Sequence, residues 1–296
     1  MKKTVYVLTI SAFVFFLISC SAVPRYINSP EVQNAAFFRE KGGLKLGAAF
    51  AANPDKLFAD QEAENSTIRG RDKSLGVDVQ AAYALTDHFF IQAAGMHRWE
   101  KDLFNKDALS DNEGSVVTYT RSMYDLGAGF YTAVNANGKI YFNGVLGAGF
   151  GTSKSEDLGY PEERKRRYDF DFVKYYIAPS FQFFFTEYAR LAVTPRFSLL
   201  TASHIQTNYS SEELNLLNYY TLPGKAKVFF EPGLLFQAGL PNVPWLKLDV
   251  GAQVATNPLT GKHYDTQPPV AEESWKLRSR RFLLSLGLSF YPFEKK

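Results

Sequence analysis

The chain has one cysteine, Cys20, in 296 residues. This excludes an internal disulfide and any metal site built from several thiolates. Histidine is scarce too: His88, His97, His204 and His263 are all there are, and none pairs with a ligand-type residue at metal-binding spacing. No metal and no cofactor is expected. A bias of charge is missing: 33 basic against 30 acidic side chains leave +3, which does not point to nucleic acid. Beyond residue 20 there is no long apolar run, so helical membrane spans are excluded from the rest of the chain.

One apolar run does exist, at the start. Lys2 and Lys3 precede an uncharged stretch from Val5 to Ile18. About 14 residues rise only ~21 Å as a helix, short of the ~30 Å hydrocarbon core. The segment fits a secretory signal peptide better than a permanent span. It ends in Leu17-Ile18-Ser19-Cys20, which resembles the bacterial lipobox. That resemblance implies cleavage before Cys20, a diacylglyceryl group on its thiol and an acyl chain of palmitate type on its new amine. Several such chains make a stable anchor at ~0.8 kcal/mol per buried CH₂.

Aromatics are plentiful, with 26 Phe and 17 Tyr, and favour strands. Period-two alternation recurs along the mature chain. Leu44, Leu46, Ala48 and Phe50 share one face; Leu75, Val77, Val79 and Ala81 another; Tyr124, Leu126, Ala128 and Phe130 a third. The pattern repeats through Ile140–Phe150, Tyr175–Phe185, Leu191–Leu199, Val228–Ala238, Leu246–Val254 and Phe282–Phe290. Connections alternate between short (Thr86-Asp87-His88, Asn135 to Lys139, Thr186-Glu187-Tyr188, Pro241 to Pro244) and long. The long ones are Asn53 to Lys73, Glu100 to Gly114, Ser155 to Arg167, Ala202 to Gly224 and Pro258 to Arg280. The expected fold is all-β: one antiparallel transmembrane β-barrel of about ten strands, with short periplasmic turns and long extracellular loops. The expected division is a signal peptide over residues 1–19, a lipidated periplasmic linker over 20–42 and the barrel over 43–296. A soluble β-sandwich is disfavoured, because the second face of each strand is small and glycine-rich rather than broadly polar. Phe89, Trp99, Tyr131, Tyr188, Trp245, Phe290, Tyr291 and Phe293 are placed in interfacial girdles.

Strand parity turns a polar set inward: Lys45, Asp78, Gln92, Arg98, Arg121, Asp125, Lys174, Arg190, Arg196, Glu231, Lys247 and Asp249. They form either a polar pore or a plug of buried ion pairs. Unpaired buried charge is costly, and narrow barrels are filled by side chains, which favours the plug. The loop run Arg164, Lys165, Arg166 and Arg167 is a candidate grip on lipopolysaccharide phosphates, with a solvated loop as the alternative. Gly147-Ala148-Gly149-Phe150-Gly151 is read as lumen-facing glycine rather than a phosphate loop, since no helix follows. His97 and His204 fall near the outer rim, where a rim hydrolase would need a Ser or carboxylate beside them. The segment from Glu31 to Glu40 is expected as a short helix or extended arm on the periplasmic side, placed to plug the barrel base or meet a partner.

Lipobox, short spacer, the Phe37-Phe38-Arg39-Glu40-Lys41-Gly42 segment and a barrel to the C-terminus together resemble the outer-membrane β-barrel lipoproteins of Bacteroidota. Ser21 to Arg25 carries no acidic residue. In that group this implies a lipid held in the periplasmic leaflet of the outer membrane. The resemblance implies a non-enzymatic accessory subunit of a secretion, assembly or uptake complex, with membrane lipids and a protein partner as contacts. A small pore and a rim-located hydrolase are the alternatives.

Overall fold

The computed structural model describes residues 25–53, 73–104, 115–159, 165–257 and 277–293. The expected signal peptide, Cys20, Arg164 and much of four expected long loops lie outside the described residues.

The polar tips of the hairpins are built from side chains that cap backbone N–H groups. The Thr86 hydroxyl accepts from His88 N at 3.2 Å and Phe89 N at 2.9 Å. Thr186 repeats the device with Tyr188 N and Ala189 N. Asn135 Oδ1 accepts from Lys139 N and Ile140 N, both at 3.0 Å, while Gly138 supplies the left-handed φ of +61° that the turn requires.

Between these turns run β2 (Leu44–Ala52), β3 (Lys73–Ala84), β4 (Phe89–Phe104), β5 (Ser115–Ala133), β6 (Ile140–Gly159), β7 (Lys165–Phe184), β8 (Ala189–Thr194) and β9 (Phe197–Thr207). They are followed by β10 (Lys227–Phe230), β11 (Gly233–Leu240), β12 (Val243–Val254) and β14 (Phe282–Phe290). All belong to one twelve-stranded antiparallel sheet. β14 pairs back onto β2, Phe290 opposite Leu46, and β7 pairs with both β8 and β9, so the sheet closes. The interruptions between β8 and β9 and between β10 and β11 fall at Pro195-Arg196 and Glu231-Pro232, where proline cannot donate to the ladder. Each pair is one stave in two pieces, which makes ten staves. The two breaks lie side by side, joined by Glu231 N donating to Arg196 O at 2.7 Å.

The outward face carries the membrane belt. Leu126 and Leu146 are each 66% exposed and Val79 and Leu286 each 58%. An apolar ring of this size on a closed barrel requires hydrocarbon around it. Along β5, β6 and β7 the belt stops at one row. Tyr124, Phe150 and Val173 are aligned across the strands, and the next outward row is Ser122, Thr152 and Asp171. Thr120 and Lys154 continue the polar face. These strands thus stand clear of the membrane on the loop side. Tyr131 and Tyr291, expected in the girdles, face inward instead and are buried. Their hydroxyls donate to Thr86 O and to Gln237 Oε1, and a buried phenol needs such a partner.

The remaining elements lie inside or over the barrel. β1 (Arg25–Asn28) pairs in parallel with β13 (Leu277–Ser279), apart from the barrel sheet. Within the expected Ala202-to-Gly224 loop, β9 continues to Thr207, and a short helix, α1 (Ser211–Leu216), follows. Ser210 and Glu213 cap α1 reciprocally. Leu217, Tyr219 and Leu222 then turn inward onto Ile27, Tyr168, Phe170, Phe172, Phe229 and Leu277. This apolar cluster covers the outer mouth. The Tyr168 and Tyr219 rings stack 3.9 Å apart.

Candidate functional site

The lumen is occupied by the chain's own N-terminal segment. Residues expected in a periplasmic linker instead thread the barrel from one mouth to the other. At the turn end, Lys41 N donates to Asp87 Oδ1 at 2.9 Å and Gly42, at φ +82°, donates to Ala84 O. Phe37 packs edge-on to Phe184, 5.7 Å between centroids, and Phe38 edge-on to Phe90, 5.8 Å. This aromatic collar seals the periplasmic mouth. At the other end Arg25 binds Asp157, at the loop-side end of β6. Of the forms expected for residues 31–40 the extended arm is the one observed, and it fills the lumen rather than its base alone. An arm with Phe37, Phe38, Ala35, Ala36, Val32 and Ile27 gains more by burial in a waiting apolar and polar lumen than by lying on a surface.

The segment is extended, so its backbone groups need partners from the wall. They come from inward polar side chains. Gln80 Nε2 donates to Val32 O at 2.8 Å, Gln182 and Asn143 donate to Ala36 O, Arg190 to Phe37 O and Arg98 to Pro30 O. Asp78 Oδ1 accepts from Val32 N at 3.1 Å and its other oxygen pairs with Arg98. Lys45 Nζ donates to Asn34 Oδ1, Ala35 O and Gln80 Oε1, each at 3.1 Å.

At mid-height, the paired strand breaks turn Arg196 and Glu231 onto the plug. Glu31 accepts from Arg196 at 2.9 and 3.0 Å and from Lys174 at 3.3 Å. Lys174 also reaches Glu231 at 2.8 Å, and Asn28 Nδ2 donates to Glu231 at 2.9 Å. Arg196 lies 3.8 Å over the Tyr176 ring, whose hydroxyl donates to Asp125 at 3.0 Å. Gly147 is opposite this ring, and a Cβ there would run into it. Its smallness is what the site needs.

Nearer the outer mouth, Glu100 accepts from Arg121, from Ser29 at 3.0 Å and from Ser74 at 3.2 Å, and pairs with Arg280 at 2.7 Å. Arg280 also binds Asp102 at 2.8 Å, and Arg121 reaches Tyr26 O. Asp157 takes Arg25 at 2.6 Å and the Tyr209 hydroxyl at 3.0 Å. The cap is thereby tied to the plug.

All twelve members of the inward set from Lys45 to Asp249 point into the lumen, and eleven of them, all but Arg196, are buried. Lys247 approaches Glu187 O at 3.4 Å and Asp249 accepts from Ser289. They do not form one cluster but three tiers along the plug. Five further residues of these tiers lie outside the parity set: Asn28 and Glu31 fall in the expected linker, and Glu100, Asp102 and Arg280 in expected loops. One signal was available for the first two of these loop residues. The alternation Arg98, Glu100, Asp102 continues the inward face of β4 past the expected strand end.

The basic run is already engaged. Lys165 pairs with Glu156 at 2.9 Å, Arg166 holds Glu213 with three contacts of 2.7–3.0 Å, and Arg167 pairs with Asp169. The Arg166 contacts staple α1 to β7, and among the described residues of the run Lys165 and Arg167 stay exposed. The Arg166 bond holds the Glu213 carboxyl below the usual range.

His97 and His204 both have the neighbours a rim hydrolase would need. His97 Nδ1 is 2.7 Å from Ser122 Oγ and His204 Nδ1 is 3.2 Å from Asp171. Both pairs lie on the outer surface, in or beside the first polar row above the belt.

The geometry defines a class: a self-plugged, ten-stave β-barrel of the outer-membrane type. No protein-family model and no curated protein sequence matches the chain. Solved structures with a similar trace include the translocator domain of the autotransporter NalP from Neisseria meningitidis, at 12% identity and TM-score 0.45, covering 84% of this chain and 88% of that one. Another is the transport unit of the autotransporter AIDA-I from Escherichia coli, at 7% and 0.44, covering 88% and 93%. A third is Ail, the attachment invasion locus protein of Yersinia pestis, at 13% and 0.29, covering 57% and 93%.

Proposed function

We propose that this is a non-enzymatic outer-membrane barrel lipoprotein, acylated at Cys20, that serves as an accessory or partner-binding subunit rather than as a pore. The observation that carries the reading is the filled lumen. Residues 25–38 run from the aromatic collar to Asp157, and the wall meets their backbone and charged groups at every tier. Expelling such a segment breaks several buried ion pairs, each costing roughly 3–5 kcal/mol when one partner is removed. A barrel built to conduct gains nothing from that. Its accessible parts are the polar loop-side extension of β5 to β7 and the cap, and these face the cell surface.

The test has two arms. In planar bilayers the purified full chain should be silent, and a steady conductance would turn the reading to a pore. Purification from native membranes in mild detergent should bring down a second outer-membrane chain in constant proportion. Recovery of the barrel alone, at every detergent tried, removes the accessory role.

One observation favours a second reading, a hydrolase at the outer interface: the 2.7 Å contact of His97 and Ser122, at the height where lipid esters lie. Release of fatty acid from outer-membrane lipid by the wild type, abolished in Ser122→Ala, would establish it.

A further inference from the structure

The direction of the plug decides where the chain before it must be. Gly42 and Lys41 are fixed at the short-turn mouth by Ala84 and Asp87. Arg25 is fixed at the other mouth by Asp157, seven residues beyond Phe150 along β6. Thirteen peptide steps separate Phe38 from Arg25, a reach of about 45 Å when extended, ample to cross a belt of about 25 Å. Tyr26 is held at the same level, its carbonyl on Arg121 and its ring 4.5 Å under Arg280. So the described chain begins, at Arg25, on the cell-surface side of the barrel.

We infer that the mature N-terminus is carried out through the protein's own lumen and that acyl chains on Cys20 enter the outer leaflet of the outer membrane. Cys20 is five steps from Arg25, at most about 18 Å. The periplasmic leaflet lies beyond the full height of the belt and is out of reach, while the interface row of Ser122, Thr152 and Asp171 is on the near side. The lipid part rests on the lipoprotein reading; the route of the chain does not. On this inference the anchor lies in the outer leaflet, where the resemblance implies the periplasmic one.

The test uses Ala22→Cys in the otherwise intact chain, treated with a membrane-impermeant maleimide on whole cells. Asn137→Cys, in the Asn135-to-Lys139 turn, is the periplasmic control. Heat-modifiable mobility on gels verifies that each barrel is folded. Labelling at position 22 in intact cells, with position 137 labelled only after permeabilisation, is the expected result. Labelling of both only after permeabilisation overturns the route. Mass analysis of the N-terminal peptide is read separately. An acylated Cys20 with a shielded position 22 refutes the inference and leaves the lipoprotein reading standing. An unacylated Cys20 with an accessible position 22 does the opposite for the lipid.

Discussion

Glu31→Gln is the most informative single change in the plug. Glu31 supplies the negative charge that the plug brings to mid-height, where it meets Arg196 through two hydrogen bonds and Lys174 through a third. Glutamine keeps the shape and removes the charge. Buried Lys174 and part-buried Arg196 then share Glu231, which already lies 2.8 Å from the first and 3.8 Å from the second. Removing one partner of a buried pair costs roughly 3–5 kcal/mol, and the remaining carboxylate puts this case at the low end. About 3 kcal/mol is a little over two factors of ten in the equilibrium between docked and released plug. In denaturant unfolding from detergent micelles the midpoint should fall with the slope unchanged. Brief openings should interrupt the otherwise silent bilayer trace. Glu31→Gln combined with Lys174→Met restores charge balance and should recover part of the loss, because the two sites share partners and do not add. An unchanged midpoint together with an unchanged silent trace would refute the claim that this ion cluster holds the plug.

Other changes probe other tiers. Phe38→Ala opens the periplasmic collar against Phe90 and Tyr131 and should cost about 3–5 kcal/mol in the same unfolding assay. Gly147→Val drives a side chain into Tyr176 and should cost about 1–3 kcal/mol by overpacking, with a lowered heat-modification temperature as the readout. Leu126→Arg, on the belt, should cost about 2–4 kcal/mol in lipid; a neutral result would contradict the membrane placement of that row. The Glu213 carboxyl is depressed chiefly by its bond from Arg166. Its contribution is thus fully present above the ordinary glutamate value of about 4.3, and lost as pH falls through the lower folded value. The pair is partly exposed and worth only about 0.2–1 kcal/mol. Limited proteolysis of the 208–224 cap should accelerate in that acidic window, and Arg166→Gln should remove the pH dependence.

The barrel was legible because its constraint is periodic. A lipid outside and a crowded lumen inside force every second residue to one side, so Leu126 and Asp125 announce their faces without a partner being known. The paired strand breaks were not anticipated: Leu191–Leu199 and Val228–Ala238 read as continuous alternation, although Pro195 and Pro232 lie within them. Nor was the route of residues 25–38 legible. Pro30 and an irregular apolar-polar mixture mark a segment with no period of its own, and its conformation is imposed by a wall assembled from positions as distant as Gln80, Asn143, Gln182 and Arg196. For the same reason the wall charges could be assigned to the lumen while their partners could not. Glu31 is 165 residues from Arg196, and local pattern carries no trace of that pairing.

The central claim, that the N-terminal segment lies within the barrel and pairs there with the last loop, is tested most directly by a cross-link. Asn28 is opposite Ser279 in the parallel β1–β13 ribbon, with Asn28 Nδ2 2.8 Å from Ser279 Oγ. Neighbouring strands about 4.8 Å apart fall within disulfide range. In a Cys20→Ala background, Asn28→Cys with Ser279→Cys should oxidise to an intramolecular disulfide in folded barrels and shift their mobility on non-reducing gels. Two thiols that stay free in folded barrels under the same oxidant would contradict it.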